Sequence, residues 1–343
     1  MAHYKLALLG FGNVGQALAR LFLDKQAELW ERQHLTFSVT GISTARHGAA
    51  INPAGLDIER ALGLMQEKNG SLTSLSTLPI PQDAFEFIRR CEADVLFENT
   101  PVNYDTGQPA IDHLRTALEQ GMHAITANKG PVVHSYRELT ALAQAKGRRF
   151  YFESAVMDGA PIFSLFREAL PGANLITLQG VLNSTTNLIL SRMEDGESFE
   201  QAVAYAQSIG IAETDPSGDI DGWDASVKVA ALATVLMSVP LKPQEVERQG
   251  IRGITPVEIE RARAQGKRWK LVCTATRQGD RIRARVTPEM VGPDSPLYGV
   301  EGTTSIVQFE TDVLGLLSII ESNPGPRTTA YGLFADFLNA VRK

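Results

Sequence analysis

The chain has 343 residues, 43% of them hydrophobic and 21% charged, with a net charge of −6 and an isoelectric point near 5.6. That length and balance describe a globular protein of about two domains and exclude an extended disordered chain. An acidic total without a concentrated basic patch argues against general binding to nucleic acid or to an anionic membrane.

The first apolar run, residues 5–9, reads as a buried strand, and Gly10-Phe11-Gly12-Asn13-Val14-Gly15 follows it, opening a helix that should continue through Arg32. In that order the first glycine permits a tight turn, the second lets backbone approach a pyrophosphate, and the third lets helix pack on strand. The helix N-terminus adds N–H donors and a favourable dipole. We read Gly10, Gly12, Asn13, Val14 and Gly15 as a dinucleotide site, with a purely structural turn as the alternative. The run from Leu6 to Gly12 is too short and too glycine-rich for a signal peptide, so a cytoplasmic location is expected.

Further strands at 36–42, 94–97, 123–126 and 149–152 alternate with helical patterns at 83–91, 105–120 and 135–146. The alternation predicts an α/β fold, a Rossmann-type doubly wound and mostly parallel sheet, over residues 1–150. Ligands on such sheets bind beyond the strand carboxyl ends, which brings Ser43, Thr100, Pro101 and Ala127-Asn128-Lys129 around the cofactor. No carboxylate stands between Phe37 and Asp57, so an acidic ribose partner is missing. Ser43 and Arg46 suit a 2′-phosphate instead, which favours NADP over NAD. The alternative is that Arg46 is an ordinary surface residue.

After residue 150 the pattern changes to Glu153-Ser-Ala-Val156-Met-Asp158-Gly-Ala160-Pro161, a loop rich in small residues that marks a boundary, with a helix expected from Ile162. A strand at 175–181 leads to Asn183-Ser-Thr185-Thr-Asn187, which should cap a helix through Met193. Five consecutive hydrogen-bonding side chains exceed a capping need and suit a small polar substrate. A helix at 199–209 precedes the acidic segment Glu213-Thr-Asp-Pro-Ser-Gly-Asp219-Ile-Asp-Gly-Trp-Asp224.

Lys228 then stands alone in an uncharged, mostly apolar stretch, four residues after Asp224 and on the same helix face. It is either a helix-surface ion pair or a paired, functional amine, because an unpaired ammonium on such a face would be costly. The uninterrupted apolar run behind it is too short for a membrane span, which needs roughly 20 residues. Strand candidates at 271–276, 282–286 and 305–310 complete a mixed α+β substrate-binding and oligomerisation domain over 151–324. The basic stretch 261–270 reads as a helix end entering a strand. Cys91 and Cys273 lack metal spacing and should be reduced and structural. A closing helix at 328–341, apolar through Tyr331, Leu333, Phe334, Phe337 and Leu338, should dock on the first domain, so that 325–343 completes it.

Taken together these blocks resemble one family, the homoserine dehydrogenases, along nearly the whole chain. The resemblance lies in Gly10 to Gly15, in Thr126-Ala-Asn-Lys129-Gly, in Glu153 to Pro161, in Gly180-Val-Leu-Asn-Ser-Thr-Thr-Asn187, and above all in Glu213 to Lys228. It implies reduction of L-aspartate 4-semialdehyde to L-homoserine with NAD(P)H, on the route to threonine, methionine and isoleucine, by a homodimer or homotetramer. By the same resemblance Lys228 is the catalytic lysine, supported by Asp224, and Lys129 a second lysine near the nicotinamide. Glu213 and Asp219 would bind the substrate, together with Asn183 and Thr185 of the polar cluster. Gly325 would join the cofactor site, and carbonyls of Glu153, Val156, Asp158 and Ala160 would hold a monovalent cation, Na+ or K+. The chain departs from the family at Ser184, where many members carry glycine, and in a C-terminal turn reduced to Asn323-Pro-Gly325-Pro. Because it ends at Lys343, soon after the closing helix, no threonine feedback through an appended regulatory domain is expected. Two rivals remain: a dehydrogenase of another small hydroxy or amino aldehyde, and a non-catalytic dinucleotide-sensing regulator. The regulator needs neither the lysine nor the acidic segment.

Overall fold

Residues 2–342 are described by a computed structural model, in which two compact units divide the chain. One unit holds the residues up to Pro161 together with those from Gly325; the other spans 162–324.

The first unit starts with β1 (Ala2–Leu9), α1 (Asn13–Asp24), α2 (Gln26–Gln33), β2 (Leu35–Thr44) and β3 (Gly48–Ile51). It continues through α3 (Ile58–Leu64), α4 (Ala84–Arg90), β4 (Val95–Glu98), α5 (Ala110–Glu119), β5 (His123–Thr126), α6 (Lys129–Ala145) and β6 (Phe150–Tyr151). The strands lie in the order β3-β2-β1-β4-β5-β6, parallel except for the β2–β3 hairpin. This is the doubly wound sheet that the strand–helix alternation predicts.

Three local expectations are corrected. The first helix does not run unbroken to Arg32: Lys25 leaves helical geometry (φ −98°, ψ 3°) between α1 and α2. The core takes only Leu29 from α2, so its packing does not require the two pieces to form one straight helix. The helix expected from residue 105 starts at Ala110, because Gly107 has φ +69° and Pro109 lacks an N–H. The second strand runs on to Thr44 and folds back as β3, which puts Arg46 on an exposed hairpin turn.

In the second unit come β7 (Leu175–Val181), α7 (Ser184–Glu194), α8 (Phe199–Ser208), α9 (Ser217–Ile220) and α10 (Trp223–Leu236). They are followed by β8 (Glu247–Arg248), α11 (Pro256–Ala264), β9 (Arg268–Gln278), β10 (Arg281–Val291), β11 (Ser305–Thr311) and β12 (Gly315–Glu321). The sheet order is β12-β11-β7-β9-β10-β8, antiparallel apart from the short β8–β10 pairing. α10 packs on β9 and β10, and α7 and α11 pack on β9. The helix expected from Ile162 is mostly a single wide π-turn at Leu165–Ala169. β12 escaped the sequence reading because it is apolar on both faces, with Leu316 and Ile320 each 62% exposed on a sheet edge.

The closing helix, α12 (Pro326–Val341), returns to the first unit and packs against α1. Phe22 of α1 meets Phe334 and Phe337 at ring-centroid distances of 5.2 and 5.3 Å. The buried stripe of α12 runs through Ala330, Leu333, Phe334, Phe337 and Ala340. Tyr331, expected on that face, lies off the stripe and is 54% exposed. Both cysteines are free and buried, and burial pushes their thiols up to about 11 for Cys91 and about 12 for Cys273, which leaves them unreactive at neutral pH. Among the described residues no helix is long and apolar enough to cross a membrane.

If α12 closes the core of the first unit, Phe337→Ala should lower that unit's stability by about 3–5 kcal/mol in denaturant unfolding. A change below about 1 kcal/mol, the size of an ordinary surface substitution, would show that the helix is peripheral.

Candidate functional site

In the second unit four polar side chains converge where β7 ends and α10 begins. Gly222, at φ +79°, turns the chain into α10 and leaves Asp224 in the first helical turn, where the helix dipole favours a carboxylate. α10 is buried around most of its circumference, from Ala225 through Thr234, so any charge on it is largely removed from water. Lys228 Nζ lies 3.1 Å from Asp224 Oδ2 and donates to the Leu182 carbonyl at 2.7 Å. The two side chains are only 14% and 10% exposed, which makes this a buried pair and not one on a solvated helix face. An ammonium has three N–H donors. Two of those on Lys228 are engaged, and no partner for the third stands among the described residues.

Asn183 ties the cluster together. Its side-chain oxygen accepts from the Thr186 N–H at 2.8 Å, capping α7, while its amide nitrogen donates to Asp219 (2.6 Å) and to Asp224 (3.0 Å). Burial, and next the negative charge of Asp224, raise the Asp219 carboxyl above its ordinary value of 3.8; Asn183, Lys228 and the Thr185 hydroxyl pull the other way. Thr185 also donates to the Ile211 carbonyl at 3.3 Å. Glu213 is not drawn into this network: it is exposed, and Gln207 holds its backbone carbonyl at 3.1 Å. Asn187 is committed elsewhere, donating to the carbonyls of Gly302 (3.0 Å) and Thr304 (3.2 Å) and accepting from the buried Lys270 at 3.1 Å. Ser184 reaches Ser305, with 3.3 Å between hydroxyl oxygens.

In the first unit the glycine turn has the geometry a phosphate requires. Gly10 sits at φ +95°, where a Cβ would overlap the Asn99 carbonyl, and a Cβ on Gly15 would overlap the carbonyl of Gly10. Nothing approaches within 4 Å of the Cβ position of Gly12, at the mouth of α1. The first turn of α1 has no acidic residue and no side-chain cap, which leaves its N–H groups and dipole open to an anion. Asn13 is exposed beside them and Val14 packs into the core. The Ser43 carbonyl fixes the turn by accepting from the Gly10 N–H at 2.9 Å. These residues fit a dinucleotide.

At the carboxyl ends of β4 and β5, where Thr100, Pro101 and Ala127 to Lys129 were expected, the cluster is centred on Glu98, a residue absent from the sequence analysis. Glu98 is fully buried, and its Oε1 accepts from both the N–H (3.1 Å) and the hydroxyl of Thr100. The Thr126 hydroxyl sits between Glu98 Oε2 (3.0 Å) and the Glu98 carbonyl (2.7 Å), and accepts from the Asn128 N–H at 2.9 Å. Asn128 caps α6, which begins with the half-buried Lys129. Pro101 is exposed next to Thr100. The one sequence signal was a carboxylate closing the apolar strand Val95-Leu96-Phe97.

The loop 153–161 is braced by α12. Glu153 donates its N–H to Asp336 at 2.6 Å, and Ser154 donates its hydroxyl to the Thr329 carbonyl at 2.7 Å. Asp158, at φ +38°, accepts from the Gly325 N–H (2.7 Å) and the Thr328 hydroxyl (2.8 Å). Its carboxylate is therefore spent on the start of α12, and a cation here would meet backbone carbonyls, such as those of Val156, Asp158 and Ala160. Gly325 stands in this brace.

Two family models match the chain: homoserine dehydrogenase over residues 161–338, and homoserine dehydrogenase, NAD binding domain, over 10–153. The chain is 35% identical to a NAD(+)-dependent homoserine dehydrogenase of Pseudomonas canavaninivorans, covering 99% of this chain and 96% of that protein. It is 35% identical to a homoserine dehydrogenase of Methanocaldococcus jannaschii, covering 97% of each. Among solved structures it is similar to a hyperthermophilic archaeal homoserine dehydrogenase in complex with NADPH, with a TM-score of 0.82, 29% identity, and 98% and 97% of the two chains covered.

The raised Asp219 carboxyl has a consequence for stability. A carboxyl that binds its proton more tightly when folded stabilises the fold at low pH and loses that contribution as pH rises above 3.8. Asp219→Asn should therefore raise the unfolding midpoint of the second unit at pH 7, with the gain vanishing in acid. A lower midpoint at neutral pH would contradict the strained carboxyl.

Proposed function

Because the chain belongs to the homoserine dehydrogenase family, we infer that the buried network of Asn183, Asp219, Asp224 and Lys228 binds and turns over its substrate. The protein is an NAD(P)-dependent oxidoreductase acting on a CH–OH group, interconverting L-aspartate 4-semialdehyde and L-homoserine in amino-acid biosynthesis. The observation that carries the site assignment is the spare N–H of a buried, twice-anchored ammonium. The bound nicotinamide supplies or accepts the hydride. Reduction of an aldehyde builds negative charge on its oxygen, and Lys228 stabilises that charge and delivers a proton to it. Asp224 orients the amine and offsets its charge. Asp219 faces the substrate's α-ammonium, with Glu213 at the exposed end of the acidic segment as a second carboxylate, and Asn183 and Thr185 fix Asp219 in place. Lys129, near the nicotinamide, is the competing proton carrier.

The cofactor reading takes the open approach at Gly12 for the pyrophosphate and the Gly10–Gly15 turn as its frame. We favour NADP over NAD, since the end of β2 offers Ser43 and the exposed Arg46 where an acidic ribose partner would stand. The Pseudomonas relative is called NAD(+)-dependent, so the preference must be measured on this chain. Thr100, Pro101 and Gly325 would complete the contacts. A monovalent cation, Na+ or K+, is assigned to carbonyls of the 153–160 loop. The exposed apolar edge at β12 suits pairing with a second copy, giving a homodimer or homotetramer, and we place the enzyme in the cytoplasm.

Lys228→Ala should lower kcat by at least about a hundredfold with NADPH binding intact, the loss expected when proton transfer and charge stabilisation go together. A near-normal kcat would return Lys228 to a structural ion pair. Glu213→Gln should raise the KM for homoserine with little change in kcat, as for a contact made equally in ground and transition states; unchanged constants remove Glu213 from the site. Arg46→Ala should weaken NADPH about tenfold, the worth of one charge-assisted contact, and spare NADH. Equal effects on both cofactors would refute the NADP preference.

A further inference from the structure

We infer that Glu98 is a positioning residue for the reaction: its buried carboxylate clasps the loop after β4 to the turn after β5 and so sets the first turn of α6, where Lys129 stands. The inference rests on Lys129 being the lysine on the nicotinamide side. The hydrogen bonds close a ring. Glu98 accepts from Thr100 on one side, and on the other the Thr126 hydroxyl shares its one proton between Glu98 Oε2 (3.0 Å) and the Glu98 carbonyl (2.7 Å). Thr126 accepts from the Asn128 N–H, the Asn128 amide donates back to the Thr100 carbonyl at 3.3 Å, and Asn128 Oδ1 takes the Gly130 N–H at 3.0 Å. Beyond the ring the 100–107 loop lies directly on α6: a Cβ on Gly130 would fall 2.8 Å from the Gly107 Cα, and His134 Nε2 is 2.9 Å from the Tyr104 carbonyl.

Packing alone does not call for a carboxylate here. Val95, Leu96 and Phe97 of the same strand are equally buried, and an apolar residue would avoid the desolvation cost that Glu98 incurs. What the carboxylate adds is direction, since it holds two segments that an apolar side chain would leave free to slide. Both segments lie at the carboxyl edge of a parallel sheet, where bound ligands are positioned. His113 of α5 stands behind the clasp, its Nδ1 3.6 Å from Glu98 Oε1, beyond hydrogen-bond distance.

The test is a set of variants assayed for homoserine oxidation, with kcat, KM and Tm measured on each. Thr126→Val removes the hydroxyl at nearly constant volume. It should lower kcat at least about tenfold, given that small misplacements near the chemistry cost up to about a hundredfold, while KM for homoserine stays within about twofold. Thr126→Ser should restore kcat, and Glu98→Ala should show the same split as Thr126→Val. Thr126→Val with Lys129→Ala should be no more than about twofold slower than Lys129→Ala alone, because coupled residues are not additive. A normal kcat in Thr126→Val beside an impaired Lys129→Ala overturns the clasp, as do additive losses or a loss that serine does not restore. A normal kcat in Lys129→Ala overturns the inference through its premise.

Discussion

An ammonium leaves water only where other groups replace the hydration it loses, and much of the second unit is arranged to do that for Lys228. α10 is too apolar and too buried to solvate a charge, so the compensation comes from Asp224 one turn earlier and from the Leu182 carbonyl at the end of β7. Removing one partner of such a pair typically costs about 3–5 kcal/mol, which makes the arrangement self-enforcing once folded. The second carboxylate, Asp219, is raised above its ordinary value first by its burial and then by the negative charge of Asp224. Asn183 moderates it by donating to both carboxylates with one amide nitrogen. Two carboxylates, Asp219 and Asp224, thus stand against one lysine, the excess of acid that the proposed binding of the substrate's ammonium group relies on.

The first unit solves a different problem, the close approach of backbone to a polyanion. A side chain at Gly10 or Gly15 would collide with a neighbouring carbonyl, whereas the space beside Gly12 is open. Glu98 is a buried carboxylate that accepts hydrogen bonds from the two segments at the carboxyl ends of β4 and β5.

The parts of the site legible in the sequence were those whose physics is local. The glycine turn, the cap at Asn183 and the i,i+4 pairing of Asp224 with Lys228 each depend on residues a few positions apart. The strand–helix alternation likewise exposed the doubly wound sheet. What escaped depended on distant partners. Glu98 gains meaning only when β4 and β5 pair, and Asn187 only when Lys270 and the loop after Val300 reach it. β12 carried no alternation because neither of its faces is fully covered, and the break at Lys25 reflects how little of α2 the core uses. Glu213 reads in sequence as one with Asp219 and Asp224, yet it stays exposed while they are drawn in.

The central claim is that the spare donor of Lys228 meets the substrate oxygen. A crystal structure with L-homoserine bound tests it most directly. The account predicts the hydroxyl within hydrogen-bond distance of Lys228 Nζ and the α-ammonium against the carboxylates of the acidic segment. Homoserine bound away from the start of α10, or seated there with its hydroxyl turned from Lys228, would contradict it.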